Sequence, residues 1–247
     1  MLNLLGTLLL AVGIQSPVPW DRVLDQKADW YTTPEARAIA DSVLAWQPAR
    51  SGKYCGQPHI TFNDDATARA MMVLWDVADG RQELPSFDAD FRARARQAVD
   101  RGIDVILKTQ IRVNGELTAW CQQHDEMTLE PRPARTFERI ALVSAESVGL
   151  VRLLMRIDKP QPRVIEAVEA AVSWLRRVRL PDGRWARFYE IGTNRPIFVG
   201  RDAVVRYRLD EIEQERQKGY SWYGTYAAAL VDGEYAAWKK RISAPPE

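Results

Sequence analysis

Residues 148–178, VGLVRLLMRIDKPQPRVIEAVEAAVSWLRRV, carry the pattern that decides the fold class. Apolar residues recur at a spacing of three or four on both sides of Pro160 and Pro162, which is the period of a helix with one buried face. The apolar positions are Val148, Val151, Leu154 and Met155 before the prolines, and Ile165, Val168, Leu175 and Val178 after them. Because proline interrupts a helix, the segment predicts two separate, consecutive helices.

The same helical period extends outward in both directions along the chain. The further predicted helices are residues 34–47, a segment around 71–78 that ends at Gly80, residues 89–109, and one helix or a pair within 222–241. Two hairpins are predicted between helices: residues 111–120 turn at Asn114-Gly115, a dipeptide favoured in two-residue turns, and residues 196–207 turn around 200–203. The pattern predicts one mostly helical domain of packed helix pairs, with polar residues on the connecting loops.

Composition limits the class of partner. A hydrophobic content of 46% and a charged content of 27% are typical of a globular protein. The net charge of +1 argues against a general nucleic-acid binder, which normally has a large basic excess. Only seven of the 34 basic residues are lysine, so the arginines reflect either genome composition or, for a few of them, bidentate anion binding.

The N-terminal residues and the two cysteines bear on the cellular compartment of the protein. The apolar run at 4–14 is too short to span a bilayer and resembles the core of a signal peptide. Residues 1–19 are therefore predicted to be either an export signal or an N-terminal core segment, and no stable membrane insertion is expected. Cys55 and Cys121 permit one disulfide but lack the spacing of a zinc site.

Residues 185–202, WARFYEIGTNRPIFVGRD, interleave three arginines with aromatic residues. Arg187, Arg195 and Arg201 are of the type that holds planar anions, because a guanidinium fork matches a carboxylate or a phosphate. The alternative is an ordinary hairpin whose solvated arginines lie over a small apolar cluster.

Two other segments contain clusters of charged residues that could form a cation-binding or an anion-binding site. In HITFNDDA, residues 59–66, Asn63 is predicted to cap the next helix with Asp64 and Asp65 in its first turn, or the two aspartates bind a hard cation such as calcium. Residues 119–138 form a dense polar loop that is either a solvated crossover or a holder of positioned arginines. This loop includes His124, Asp125 and Arg135, and Lys108 lies just upstream.

Taken together, these motifs resemble polysaccharide lyase family 10, the calcium-dependent pectate lyases. The resemblance runs from residue 20 to residue 241 and rests on several long motifs in the same order. They are WDRVLDQKADWYTTPEARAIADSVLAWQ, HITFNDDA, RGIDVILKTQIRVNGELTAWCQQHDE, PAR-TFE at 133–138, SAESVGLVRLLM, WARFYEIGTNRPIF and GYSWYGT.

The resemblance implies a fold and an activity. The expected fold is mainly α, a toroid-like arrangement of paired α-helices (an α/α toroid) with short β-hairpins. The expected activity is calcium-dependent β-elimination in α-1,4-linked polygalacturonate, which yields 4,5-unsaturated oligogalacturonates. The family is exported by bacteria, so a secreted or periplasmic monomer is expected.

The resemblance also assigns roles by motif position. Arg135 matches the catalytic arginine, which takes the C5 proton of the uronate. Asp64 and Asp65 match the metal side, with calcium as the cofactor. The expected substrate-binding residues are Arg187, Arg201, Tyr189, Lys108, His124 and Asp125.

One departure from the family concerns residues 47–58. Family members carry about two more helices before HITFNDDA, including an IDNGAT motif with further metal or substrate ligands, whereas this chain runs directly through PARSGKYCG. The catalytic domain is thus predicted to be residues 20–247, internally shortened near 47–58. Two hypotheses follow: an active pectate lyase, or a truncated, non-catalytic relative that still binds uronate polymers. A helical protein with no carbohydrate role is a third, which the retained arginines disfavour.

Overall fold

The computed structural model describes residues 26–27, 29–30, 33–36, 38, 53–54, 57–81 and 87–244. The predicted first helix is described only at 34–36 and 38, which are helical. The apolar segment 1–19, Cys55 and most of the shortened region 47–58 lie outside the described residues.

Six α-helices lie within the described ranges. They are α1 (Ala66–Asp79), α2 (Ala89–Thr109), α3 (Ser144–Met155), α4 (Pro162–Arg177), α5 (Gln214–Lys218) and α6 (Tyr235–Ser243), with a π-helical turn at Leu230–Glu234 before α6. The strands are β1 (Lys53–Tyr54), β2 (Gln57–Thr61), β3 (Arg112–Val113), β4 (Glu116–Leu117), β5 (Gln123–Asp125), β6 (Pro131–Arg132), β7 (Leu142–Val143), β8 (Trp185–Ala186), β9 (Phe188–Tyr189), β10 (Phe198–Val199), β11 (Val205–Arg206) and β12 (Tyr223–Gly224).

Local signals in the sequence explain where several elements begin and end. The Asp88 carboxylate accepts a hydrogen bond from the Phe91 amide at 2.7 Å and starts α2. Gly80, with φ +63°, ends α1 in the left-handed conformation that glycine adopts without a steric penalty. Asn114 and Gly115 both have positive φ between β3 and β4, as the predicted hairpin requires. The predicted helix at 89–109, the helix end at Gly80 and the Asn114-Gly115 hairpin are confirmed.

Two apolar clusters hold the domain together. Helix α1 packs on α2 and α3 packs on α4, and their apolar faces form one large core with Trp120, Trp174 and Trp185 at its centre. A smaller cluster, centred on Phe188, Phe198 and Trp222, lies beneath the β10–β11 hairpin. Burial of apolar area on this scale is the main favourable term in folding.

The small antiparallel sheets bring distant motifs together. In the sheet ordered β1-β2-β5-β6, Thr61 pairs with Gln123, and the Phe62 amide then bonds to the Gln122 carbonyl at 2.8 Å. In the β7–β9 pair, Val143 faces Phe188, and the Ser144 amide donates to the Arg187 carbonyl at 3.0 Å. The turn after β2, the start of α3 and residue 187 are thereby fixed near one another.

The prediction of a mainly α, toroid-like fold is wrong for the described chain. About half of the structure is helical, and the remaining ordered segments include one four-stranded and four two-stranded antiparallel sheets. These strands are two to five residues long, so they are too short to show an alternating pattern. Three of the seven described pairings join strands distant in sequence, namely β2 with β5, β7 with β9 and β8 with β12, and a local pattern does not indicate these.

The predicted helix at 222–241 is corrected as well. Tyr223 and Gly224 form a strand that pairs with Ala186 and Trp185, so helical structure begins only at residue 228 and continues through the π-helical turn into α6. Trp222, at the start of the predicted helix, belongs instead to the smaller apolar cluster. Among the described helices, none is both long and apolar enough to cross a bilayer.

Candidate active site

The turn before α1 presents two carboxylates in an uncommon backbone conformation. Asp64 (φ 53°, ψ 30°) and Asp65 (φ 57°, ψ 18°) are consecutive left-handed residues, although neither is glycine. Such residues each cost on the order of 1–3 kcal/mol and persist where the surroundings hold them in place. The predicted cap by Asn63 is wrong: the side chain of Asn63 is buried and its Oδ1 accepts from Gln122 Nε2 at 3.2 Å.

Asp65 lies against the backbone of α3. A Cβ atom at residue 149 would overlap the Asp65 carboxylate, so only glycine leaves room for this approach. Burial raises the pKa of Asp65, while the charges of Arg69, Arg152 and Arg187 oppose that rise. Asp64, by contrast, has a side chain that is 66% exposed.

Replacing Gly149 with alanine is expected to lower the free energy of unfolding by up to about 2 kcal/mol. Alanine favours helix by about 1 kcal/mol, but overpacking a filled site costs about 1–3 kcal/mol, and here the Asp65 carboxylate must move. Urea unfolding measures the change. The matched control is Gly233→Ala, where an added Cβ meets nothing within 4 Å; equal stability of the two variants would contradict the close approach of Asp65.

Arg187 lies between a buried and an exposed carboxylate. Its Nη2 pairs with Oε1 of Glu146, whose side chain is 2% exposed, and lies 3.5 Å from Oδ1 of Asp64. Burial would lower the pKa of Arg187, but the surrounding negative charge, chiefly that of Glu146, raises it above the ordinary value. The guanidinium stays protonated, and a positive charge is fixed beside the turn with the two aspartates.

A tyrosine links this pair to the predicted catalytic arginine. The ring of Tyr220 lies 5.2 Å from the guanidinium carbon of Arg187, and its hydroxyl donates to Oε1 of Glu138 at 3.2 Å. Arg135 pairs with the same Glu138 carboxylate, with 2.8 Å between Nε and Oε2. Arg135 is about one-third exposed whereas Glu138 is buried, so the arginine faces solvent on a fixed anionic support.

We call this group the arginine cluster. Its members are Asp64, Asp65, Arg135, Glu138, Glu146, Arg187 and Tyr220. The structure thus brings together four of the residues predicted from the sequence, Arg135, Arg187, Asp64 and Asp65. Their roles in catalysis remain predictions.

Two other predicted substrate-binding residues have partners of their own. Arg201, at the tip of the β10–β11 hairpin, pairs with Glu215 at 2.5 Å. Lys108, in the last turn of α2, pairs with Asp104 at 2.7 Å. Both side chains are more than half exposed, and none of their described contacts joins them to the arginine cluster.

The remaining three predicted residues make structural contacts. Asp125 accepts from the Met127 and Thr128 amides at 2.9 and 2.8 Å, which holds its pKa well below the usual range. Tyr189 is buried, and its hydroxyl donates to the Val178 carbonyl at 2.9 Å. His124 is also buried, with Nδ1 3.0 Å from the Leu129 carbonyl oxygen.

His124 is expected to make the protein less stable as the pH falls from 6.5 to 4. Burial lowers its pKa from 6.5 to about 4, so the unfolded chain binds a proton in this window that the folded protein excludes. The stabilisation present above pH 6.5 is therefore lost on acidification, by about 3 kcal/mol at most. Urea unfolding at several pH values, with His124→Gln as the comparison, checks this. Equal pH dependence in both proteins would contradict it.

Three members of the site environment were not predicted from the sequence. Glu146 is a buried carboxylate on the largely apolar helix α3, and Gln122 donates to its Oε1 at 2.9 Å. Tyr220 appears in the sequence only as one of several aromatics in GYSWYGT. A lone carboxylate within SAESVGLVRLLM was the available signal for Glu146, because a buried acid requires a partner.

The described residues do not form a complete metal site. No group of three or more histidine, cysteine, aspartate or glutamate side chains comes together within the described ranges. Asp64 and Asp65 supply two carboxylates, and the positive charge of Arg187 lies 3.5 Å from Asp64. A calcium ion normally has six to eight oxygen ligands, so these residues alone do not fit a resident calcium ion.

Comparison with known families identifies the class of protein. Residues 44–184 and 181–231 match the family model Pec_lyase, described as pectic acid lyase. This match covers most of the chain, so the protein belongs to the pectic acid lyase family and is a lyase acting on polysaccharides.

Two solved structures are similar to this chain. One is a family 10 polysaccharide lyase from Cellvibrio cellulosa, with 29% identity, a TM-score of 0.73, and coverage of 82% of this chain and 72% of that one. The other is a mutant family 10 polysaccharide lyase from the same organism in complex with trigalacturonic acid, with the same identity and TM-score and coverage of 84% and 72%. No match was found among curated proteins.

Proposed function

We propose that the protein cleaves polygalacturonate by β-elimination at the arginine cluster. The observation that carries this proposal is the connection of Arg135 to Arg187 through Glu138 and Tyr220, beside the turn that presents Asp64. Two arginines in one cluster suit a substrate with a carboxylate on every sugar. The similar structure that contains trigalacturonic acid supports the same class of substrate.

Arg135 is the proposed general base. It removes the C5 proton of a uronate, the C4–O bond breaks, a C4–C5 double bond forms, and the leaving oxygen takes a proton from solvent. A protonated guanidinium cannot accept a proton. We therefore expect the rate to rise toward alkaline pH, as the small deprotonated fraction of Arg135 increases.

Arg187 is the proposed substrate clamp. It binds the uronate carboxylate and stabilises the negative charge that develops as the C5 proton leaves. Its buried contacts hold the guanidinium in place before substrate arrives, so little reorganisation is needed. Arg201 is proposed as a second contact farther along the polymer, since its exposed hairpin position leaves it accessible.

Calcium dependence is part of the proposal and concerns Asp64 and Asp65. Because the described residues do not complete a calcium site, further oxygens would have to come from the polymer or from residues outside the described ranges. Chelation is expected to reduce cleavage, and added calcium to restore it. Export to the periplasm or the medium is proposed too, because a polymer of this size does not cross a membrane.

The test is ultraviolet detection of unsaturated products from polygalacturonate at alkaline pH, with calcium and with chelator. A signal that requires calcium supports the whole proposal. A signal unchanged by chelator removes only the calcium part, and no signal in either condition contradicts catalysis.

The second candidate function is binding of uronate polymers without cleavage. It is favoured by one observation: the clamp around Arg187 is complete among the described residues, whereas the metal side is not. Calorimetric binding of trigalacturonic acid without product formation would identify this function.

A further inference from the structure

The buried carboxylate of Glu146 is the strongest feature of the site that the proposed chemistry does not use. It lies on the first turn of α3, and its side chain is 2% exposed. Two donors converge on its Oε1, Arg187 Nη2 and, at 2.9 Å, Gln122 Nε2. A buried carboxylate requires such donors because an unpaired one is costly.

Gln122 connects this carboxylate to the turn that carries the aspartates. Its Nε2 also lies within hydrogen-bond distance of Oδ1 of the buried Asn63, at 3.2 Å. The neighbouring backbone is fixed as well, since the Phe62 amide bonds to the Gln122 carbonyl. Glu146 is thereby anchored to the segment that directs Asp64 and Asp65, and it does not depend on a flexible surface contact.

The two carboxylate partners of Arg187 differ in kind. Glu146 is buried and anchored, whereas Asp64 is mostly exposed and its Oδ1 is 3.5 Å from Arg187. The exposed contact is long and faces solvent, so it is weak and exchangeable. A substrate carboxylate can take the place of Asp64 at Arg187 while Glu146 keeps its hold on the guanidinium.

We propose that Glu146 is a positioning residue for polyuronate recognition: it fixes Arg187 from the buried side, so that the exposed side of the guanidinium receives a substrate carboxylate. This inference rests on the proposed function of Arg187. It goes further by naming the side chain that gives the clamp its selectivity for free carboxylates over methyl esters.

The experiment compares Glu146→Gln, Arg187→Ala and the double variant with wild type, on polygalacturonate and on partly methyl-esterified pectin. Glu146→Gln keeps the shape and removes the charge that holds Arg187. We expect its KM for polygalacturonate to rise about tenfold or more, since Arg187 is no longer held in the orientation that makes its charge-assisted contact to substrate, with a smaller effect on kcat. The preference for unesterified substrate should fall in parallel.

The double variant separates positioning from a general structural role. If Glu146 acts through Arg187, adding Glu146→Gln to Arg187→Ala changes neither KM nor ester preference further. Additive effects, or a single Glu146→Gln variant with wild-type KM and ester preference, would overturn the proposal. The matched control is Glu169→Gln on α4, which breaks an exposed ion pair with Lys239 of α6. It should leave KM and the ester preference unchanged.

Two further measurements keep the outcome decisive. If Glu146→Gln does not fold, Glu146→Asp retains the charge but withdraws it by one methylene, and it should give an intermediate KM. If wild type binds trigalacturonic acid without cleaving it, only the proposal of catalysis is contradicted. Calorimetric measurement of trigalacturonic acid binding to the same variants then tests the role of Glu146. If wild type binds no uronate, both proposals fail.

Discussion

Replacing Arg135 with alanine is expected to lower the rate of polygalacturonate cleavage by about 10²–10⁴-fold, the usual contribution of a positioned general base. The side chain sits on the buried Glu138 carboxylate and over the Phe137 ring at 4.9 Å, so its position is well defined. The loss should appear mainly in kcat, because Arg187 still binds the substrate. Initial rates from the absorbance of unsaturated product measure it.

The matched control for this prediction is Arg139→Ala, which removes an exposed arginine only four residues along the chain. Its rate should stay close to that of wild type. A second comparison, Arg135→Lys, keeps a cation but loses the fork that pairs with Glu138, and it should remain strongly impaired. If Arg135→Ala retains most of the wild-type kcat, the proton acceptor lies elsewhere.

Replacing Arg187 with alanine is expected to weaken uronate binding by about tenfold or more and to destabilise the fold by about 3–5 kcal/mol. The destabilisation arises because Glu146, at 2% exposed, is left as a buried charge without its cationic partner. Removing both charges avoids that cost, so Arg187→Met combined with Glu146→Gln should recover much of the lost stability. Urea unfolding at neutral pH measures the difference between the two variants.

The effect of Arg187→Ala on stability should depend on pH. Burial already raises the pKa of Glu146 above its usual 4.5, so the folded protein holds this proton at higher pH than the unfolded chain does. Stability linked to Glu146 is therefore present at low pH and falls as the pH rises through its folded-state pKa. Without Arg187 this loss of stability with rising pH should be larger. The difference in the free energy of unfolding between wild type and Arg187→Ala should therefore be smaller at pH 4–5 than at pH 7. A pH-independent difference would show that Glu146 is not left charged.

Helices and hairpins whose signals lie within a short stretch of sequence were predictable. Helix α2 spans residues 89–109, as its apolar period indicates, and the Asn114-Gly115 hairpin forms where the dipeptide predicts it. The pairings between distant strands were not predictable, because β8 and β12, for example, are joined across a long stretch of chain. The toroid expectation came from the family resemblance, and it overstates the helical share of a structure that is about half helical.

The candidate site was predictable only in part. The motifs pointed to Arg135, Arg187, Asp64 and Asp65, which the structure joins in one cluster. They gave equal weight to Tyr189, His124 and Asp125, whose side chains make buried or turn-forming hydrogen bonds. The sequence gives the chemical type of a polar residue in a motif. Whether that side chain is buried or free to bind a ligand depends on the elements that pack over it.

The sequence by itself determined the family, the main helices and the residue types of an anion-binding site, since each depends on motifs or on periods within a short segment. Only the tertiary structure decided which charges meet: Asp64 and Arg187 are 123 positions apart, and Glu146 had no predicted partner. The physical reason is desolvation. Packing of α3 against α1, α4 and the turn at 63–65 removes water from Glu146, and a carboxylate without water must be matched by the nearest cation, here Arg187.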